Sequence, residues 1–276
     1  MITKDVLTHE REYSEYDISH AEWSNPKPHG LSGCFRLKDE DEYMMAAIES
    51  HMPWLDEAVL VLQPSTDMTH RFAAILEERY GPERVRLFSY PFPVAQIDTP
   101  DHYKLPENSV FTLMHFTNWA LSRCRYSWVA KIEGDVMAMP SFGRIREEID
   151  AHPTREMYYG RVGLNVAGTK CEMIPFQNVR NAGWDEGVFN NSPRWPCVRY
   201  GKWESIDMNG PMDPRHNFGW SFFHTKRSKR RHVNRSETWV PRTEEHVRAA
   251  LSAFNTARAW PSKEEEYPSI LWEWKP

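Results

Sequence analysis

Four apolar segments of strand length, spaced by segments of helical length, limit what this chain can fold into more than any other feature of its sequence. "LSGCFRL" (31–37) leads into "DEDEYMMAAIESHMPWL". There Met44, Ala47, Ile48 and Met52 recur at helical spacing, and acids crowd the expected first turn, where the helix dipole favours them. "EAVLVLQ" (57–63) is a continuous apolar run, as expected of a strand covered on both faces. A capping cluster, Ser65, Thr66 and Asp67, then opens a helix that ends at Gly81. "RVRLFSY" (84–90) reads as the third strand, "PENSVFTLMHFTNWALSRCR" as a helix introduced by Asn108-Ser109 and "YSWVAKIEGD" as the fourth strand. Strand–helix–strand order repeated in this way predicts a mostly parallel central sheet flanked by helices.

A further helix is expected over 141–151. From Met157 to Arg231 the pattern changes to short strands and loops rich in Gly, Asn, Pro and Trp, a smaller region suited to an acceptor. A last helix is expected at 243–258, and residues 1–31 read as an irregular arm. With no internal repeat, the 276 residues read as one domain with three stretches: 31–150, 151–240, and a helix and tail over 241–276.

The net charge of −5 and pI near 6.2 argue against nucleic acid as the partner. The four cysteines, Cys34, Cys124, Cys171 and Cys197, lie too far apart for a zinc motif. The N-terminus lacks an apolar signal region and no apolar run is long enough to span a bilayer, so the expected location is cytoplasmic. The twelve tryptophans are core rings or stacking floors for sugars and bases. No G-x-S-x-G, G-x-x-x-x-G-K-[ST] or G-x-G-x-x-G is present, which disfavours serine hydrolases, kinases and dinucleotide oxidoreductases.

The chemistry concentrates at "SWVAKIEGDVMAMP" (127–140), where Glu133-Gly134-Asp135 interrupts an apolar run. Unpaired carboxylates are costly to bury and need a partner. In doubly wound sheets, ligands bind outside the carboxyl ends of the strands. Two acids flanking a glycine at such an end can hold a hard divalent cation through oxygen, with substrate phosphates completing its shell.

The segment "FRLKDEDEYMMAAIESHMPWLDEAVLVLQPSTDMTHRF" resembles the opening of family 2 type glycosyltransferases with the GT-A fold. The pieces that match are Arg36-Leu37-Lys38-Asp39-Glu40, Asp56-Glu57 and Pro64-Ser65-Thr66-Asp67-Met68-Thr69, with "KIEGDVM" where that family carries its D-x-D. Leu62, Pro64, Met68 and Glu133 depart from the family's usual residues. The resemblance covers roughly residues 31–150 and implies a Rossmann-like GT-A domain that takes a UDP-, GDP- or dTDP-linked sugar donor. Arg36, Lys38, Asp39 and Asp67 would line the nucleobase and ribose pocket, with Lys131 and Gly134 also in the nucleotide-sugar site. Glu133 and Asp135 would hold Mn2+ or Mg2+. In "NFGWSFFHTKRSKRRHV", which is similar to a late segment of these enzymes, His224 would be a third metal ligand. Lys226, Lys229 and Arg230 would lie near phosphate, and the same basic run could dock on anionic lipid at the inner face of a membrane.

An inverting enzyme also needs a general base for the acceptor hydroxyl. Asp185 and Glu186 in "AGWDEGVF" fit best, because Trp184 could stack on a sugar; Glu204, Asp207 and Asp213 are the other candidates. The reading is a metal-dependent, inverting transfer of sugar to a hydroxyl of a glycan or lipid-linked acceptor, in polysaccharide or glycoconjugate biosynthesis. The competing readings are a nucleotidyltransferase and a carbohydrate-binding protein that kept the fold without the chemistry.

Overall fold

The structure, a computed structural model, describes residues 14–139, 141–154, 158–160, 162–167, 170–174, 187–201, 203–207 and 220–224. Its central sheet is built from β1 (Leu31–Leu37), β2 (Glu57–Leu62), β3 (Val85–Ser89), β4 (Trp128–Glu133), β6 (Tyr158–Gly160) and β9 (Gly187–Asn190), in the order β3-β2-β1-β4-β9-β6. The four strands foreseen from the apolar runs are mutually parallel; β9 joins β4 antiparallel. The expected architecture, a mostly parallel sheet flanked by helices, is present.

The helices are α1 (His20–Trp23), α2 (Met44–His51), α3 (Thr69–Tyr80), α4 (Pro100–Lys104), α5 (Leu113–Ser122) and α6 (Phe142–Ala151). Continuous apolar strands are explained by two cores. One face of the sheet packs Phe35, Leu60 and Ile132 against Ile48, Leu76 and Phe142 of α2, α3 and α6. The other packs Cys34, Val59 and Val129 against Phe116 and Trp119 of α5. Much of the aromatic content goes into that second core: Tyr90 donates its hydroxyl to Val110 O at 2.7 Å and sits among the rings of Tyr16, Phe92, Phe116 and Trp119.

Four expectations need correction. The arm before β1 is partly built: a 3-10 turn (Ser14–Tyr16) precedes α1, and the buried Trp23 donates to Asn191 Oδ1 at 2.8 Å. Asp39 to Glu42 do not start a helix, since α2 begins at Met44 after Tyr43. Ser65, Thr66 and Asp67 likewise lie ahead of α3, whose N-cap position is Met68. Both segments instead bond one loop to the other. The helix before β4 is capped by Thr112, which accepts from His115 N–H, not by Asn108-Ser109.

A second sheet follows the first directly. β5 (Val136–Ala138), β7 (Val162–Ala167), β8 (Lys170–Ile174) and β12 (Trp220–His224) run in the order β5-β12-β7-β8. β5 starts one turn after β4 ends, so Gly134-Asp135 is where the chain leaves one sheet for the other. That answers why two acids interrupt an apolar run: strand continues on both sides of them, in different sheets. A separate hairpin, β10 (Cys197–Tyr200) and β11 (Trp203–Ile206), packs on α5 and turns through Gly201 at φ 59°. The helix expected at 243–258 lies outside the described residues.

Candidate metal and nucleotide site

The antiparallel pairing of β12 with β5 sets His224 opposite Val136, the residue after Asp135. This register brings together Glu133, Asp135 and His224, whose ligand atoms all lie within 4.8 Å of one another. His224 Nε2 is 3.3 Å from Glu133 Oε2 and 3.4 Å from Asp135 Oδ1, within ion-pair distance though not aligned as a hydrogen bond to either. Asp135 is 1 % exposed. Burial pushes the His224 imidazole down, but Asp135 and Glu133 outweigh it and hold the pKa up at about 10. The site thus gathers two carboxylates around one positive charge, which is how buried acids become tolerable. Two carboxylate oxygens and one imidazole nitrogen are a donor set suited to Mn2+ or Mg2+. The residues fit a divalent cation.

Gly134 sits where the chain cannot admit a side chain without rearrangement. An added Cβ would lie 2.7 Å from Leu37 Cδ2 and 2.9 Å from Glu40 Cγ. The turn therefore presses against the loop that follows β1, where the nucleotide residues are expected.

That loop and the one after β2 are laced together. Asp39, at φ 50°, accepts from Thr66 N–H at 2.7 Å, and its own N–H donates to Ser65 Oγ at 3.1 Å. Asp41 N–H donates to Asp67 Oδ2 at 3.1 Å, Thr69 N–H to Asp67 Oδ1 at 2.9 Å, and Glu40 N–H to Thr69 Oγ1 at 2.8 Å. Burial raises the Asp67 carboxyl, but the donors from Thr69 and Asp41 outweigh it and hold it below its ordinary value. Asp39 and Asp67 thus brace two adjoining loops at the carboxyl edge of the sheet, and Lys38 is exposed beside them.

Arg36 and Lys131 have a commitment that the sequence did not reveal. Both meet Glu204 of β11. Arg36 donates Nη2 to Oε1 at 2.7 Å and Nη1 to Oε2 at 3.0 Å, and Lys131 Nζ lies 3.0 Å from Oε1. Thr117 of α5 bonds both Arg36 and Glu204, and Cys197 Sγ donates to Glu204 Oε2 at 3.2 Å. Burial alone would raise the Glu204 carboxyl; Arg36 and Lys131 reverse this and hold it well below the usual carboxylate range. A buried, strongly stabilised carboxylate is a poor proton acceptor, so Glu204 leaves the set of candidate bases. No local signal could have found this, because Glu204 lies 168 positions from Arg36.

Asp185, Glu186, Asp213, Lys226, Lys229 and Arg230 lie outside the described residues. Asp207 follows β11 and donates its N–H to Pro196 O at 2.7 Å. Among the described residues, no helix is long and apolar enough to cross a membrane.

No protein-family model matches the chain, and no curated protein matches it. Solved structures of GT-A type glycosyltransferases are similar to it at low identity. TarS from S. aureus aligns with 86% of this chain and 46% of its own, at 12% identity and a TM-score of 0.46. TarS 1-349 in complex with UDP aligns over 59% and 47%, at 13% identity and a TM-score of 0.42. Glucosyl-3-phosphoglycerate synthase from Mycobacterium tuberculosis, in complex with Mn2+, UDP-glucose and phosphoglyceric acid, aligns over 48% and 43%, at 15% identity and a TM-score of 0.34. The aligned part is less than half the length of each of these three.

Proposed function

We propose that this protein is a nucleotide-sugar-dependent glycosyltransferase whose donor diphosphate is held through a divalent cation at Glu133, Asp135 and His224. The observation that carries the reading is the convergence of those three side chains at the point where one sheet hands the chain to the next, beside the laced loops of Asp39 and Asp67. Bound there, Mn2+ or Mg2+ would neutralise the charge that develops on the departing nucleoside diphosphate. The β1 and β2 loops would take the nucleoside, with Lys38 at their exposed rim. Asp185 and Glu186 are the proposed acceptor-side acids; they immediately precede Gly187, the β9 residue that pairs with Lys131. The basic run with Lys226 and Lys229 follows His224 directly and is proposed to face phosphate. A glycan or lipid-linked hydroxyl is the proposed acceptor, with inversion at the sugar.

A thermal-shift screen of UDP-, GDP- and dTDP-linked sugars with and without Mn2+ tests this. A true donor raises the Tm in a metal-dependent way, because ligand binding to the folded state stabilises by mass action. The same donor should release nucleoside diphosphate slowly in water. Stabilisation without any such release favours the carbohydrate-binding reading, and no metal-dependent stabilisation by any donor overturns the proposal. Asp185→Asn should keep donor binding and abolish transfer; full activity in that variant moves the base elsewhere.

A further inference from the structure

Among the described residues, Glu57 and Glu204 each meet two Lys or Arg side chains, at opposite ends of the central sheet. Glu57, at the start of β2, meets Arg86 and Arg125, whose side chains are 23% and 37% exposed. There water screens the charges. Glu204 meets Arg36 and Lys131, and all three side chains are under 10% exposed. A buried cluster of this kind is expensive to assemble and acts strongly on its neighbours.

Its neighbour is the metal seat. Lys131 and Glu133 are alternate residues of β4, so they project from the same face, about 7 Å apart along the strand. Arg36 is the register partner of Glu133 across the β1–β4 pair, about 4.8 Å away between strands. Two positive side chains therefore flank the strand end that must attract a divalent cation, and Glu204 supplies negative charge to both. It does so from β11, so the hairpin, β1 and β4 are fixed to one another at that point.

Resting on the reading of Glu133, Asp135 and His224 as a cation seat, we propose that Glu204 is a positioning residue for it: it holds the ends of β1 and β4 and offsets the positive charge beside Glu133. The test is Mn2+ binding to the full chain by calorimetry, with pyrophosphate in the absence of metal as a second probe. Glu204→Gln keeps the shape and removes the charge. Its Mn2+ Kd should rise about tenfold, while pyrophosphate binding stays level or tightens. A merely structural role would weaken both. Lys131→Met leaves the Arg36–Glu204 pair in place and should shift Mn2+ affinity the other way, towards tighter binding. An unchanged Mn2+ Kd in folded Glu204→Gln overturns the proposal while leaving the cation seat intact. If Glu204→Gln does not fold, weakened Mn2+ binding in Lys131→Met overturns it equally. Wild-type protein that binds no Mn2+ defeats the seat itself, and this inference with it.

Discussion

His224 Nε2 lies 3.4 Å from Asp135 Oδ1, although the strand that carries one and the turn that carries the other are far apart in the sequence. The contact follows from backbone pairing, since β12 aligns antiparallel with β5 and places His224 beside the turn that carries Asp135. The side chains therefore meet as a by-product of sheet register, and a slip of one residue would point His224 to the other face.

Asp135→Ala should raise the Mn2+ Kd about a hundredfold or more, because it removes a buried ligand and leaves a cationic His224 with one counter-charge. Glu133→Ala should cost less, since Glu133 is 28% exposed and water can take its place. Calorimetric titration of both variants decides the ranking.

Metal binding should release a proton. In the metal-free protein His224 titrates at about 10, raised from 6.5, so it is charged at neutral pH and must lose its proton to become a ligand. Apparent Mn2+ affinity should therefore rise about tenfold per pH unit between roughly 6.5 and 8. Calorimetry in buffers of different ionisation enthalpy measures the proton released. The metal-free protein behaves in the opposite sense. His224 adds stability that is complete below about 6.5 and lost as the pH rises through about 10, so chemical unfolding should become easier in alkali.

Glu204→Ala should destabilise the fold by about 3–5 kcal/mol, because it strands two buried cations. Wild-type Glu204 has a lowered folded pKa, so its contribution is present above the unfolded carboxylate value of 4.5 and disappears as the pH falls below it. Urea titrations should show wild-type stability dropping on acidification more steeply than that of Glu204→Gln.

Gly134→Ala should cost about 1–3 kcal/mol through crowding against Leu37 and Glu40, and should weaken Mn2+ binding because the turn carries both acids. Gly201→Ala is the contrast. No atom lies within 4 Å of the added methyl, so only the positive φ opposes it, at about 1 kcal/mol, and Mn2+ binding should be unchanged. Circular dichroism melts and titration separate the two effects.

The central sheet was legible because its strands are buried on both faces, so residues 58–62 announce themselves as an unbroken apolar run and Leu31–Leu37 as a largely apolar one. The pair Glu133 and Asp135 was legible for a complementary reason, as charge where the run demands none. What could not be read locally was the use of each charge. Asp39 and Asp67 look like helix-start acids but brace one loop against another, a choice made by the distance between β1 and β2. Arg36 and Lys131 look like ligand-binding cations at a strand end, yet both meet a carboxylate from a hairpin encoded far downstream. Strand identity is a property of a few neighbouring residues, whereas the partner of a buried charge is a property of the finished packing.

β12 lies between β5 and β7, and it also brings His224. The second sheet and the proposed cation seat are therefore completed in the same event. A ribosome would have to extend the chain past residue 224 before either exists, so a nascent chain stopped earlier would expose the β5 edge and hold Glu133 and Asp135 without His224. On that proposal, divalent cations present during synthesis would act only once β12 has been made.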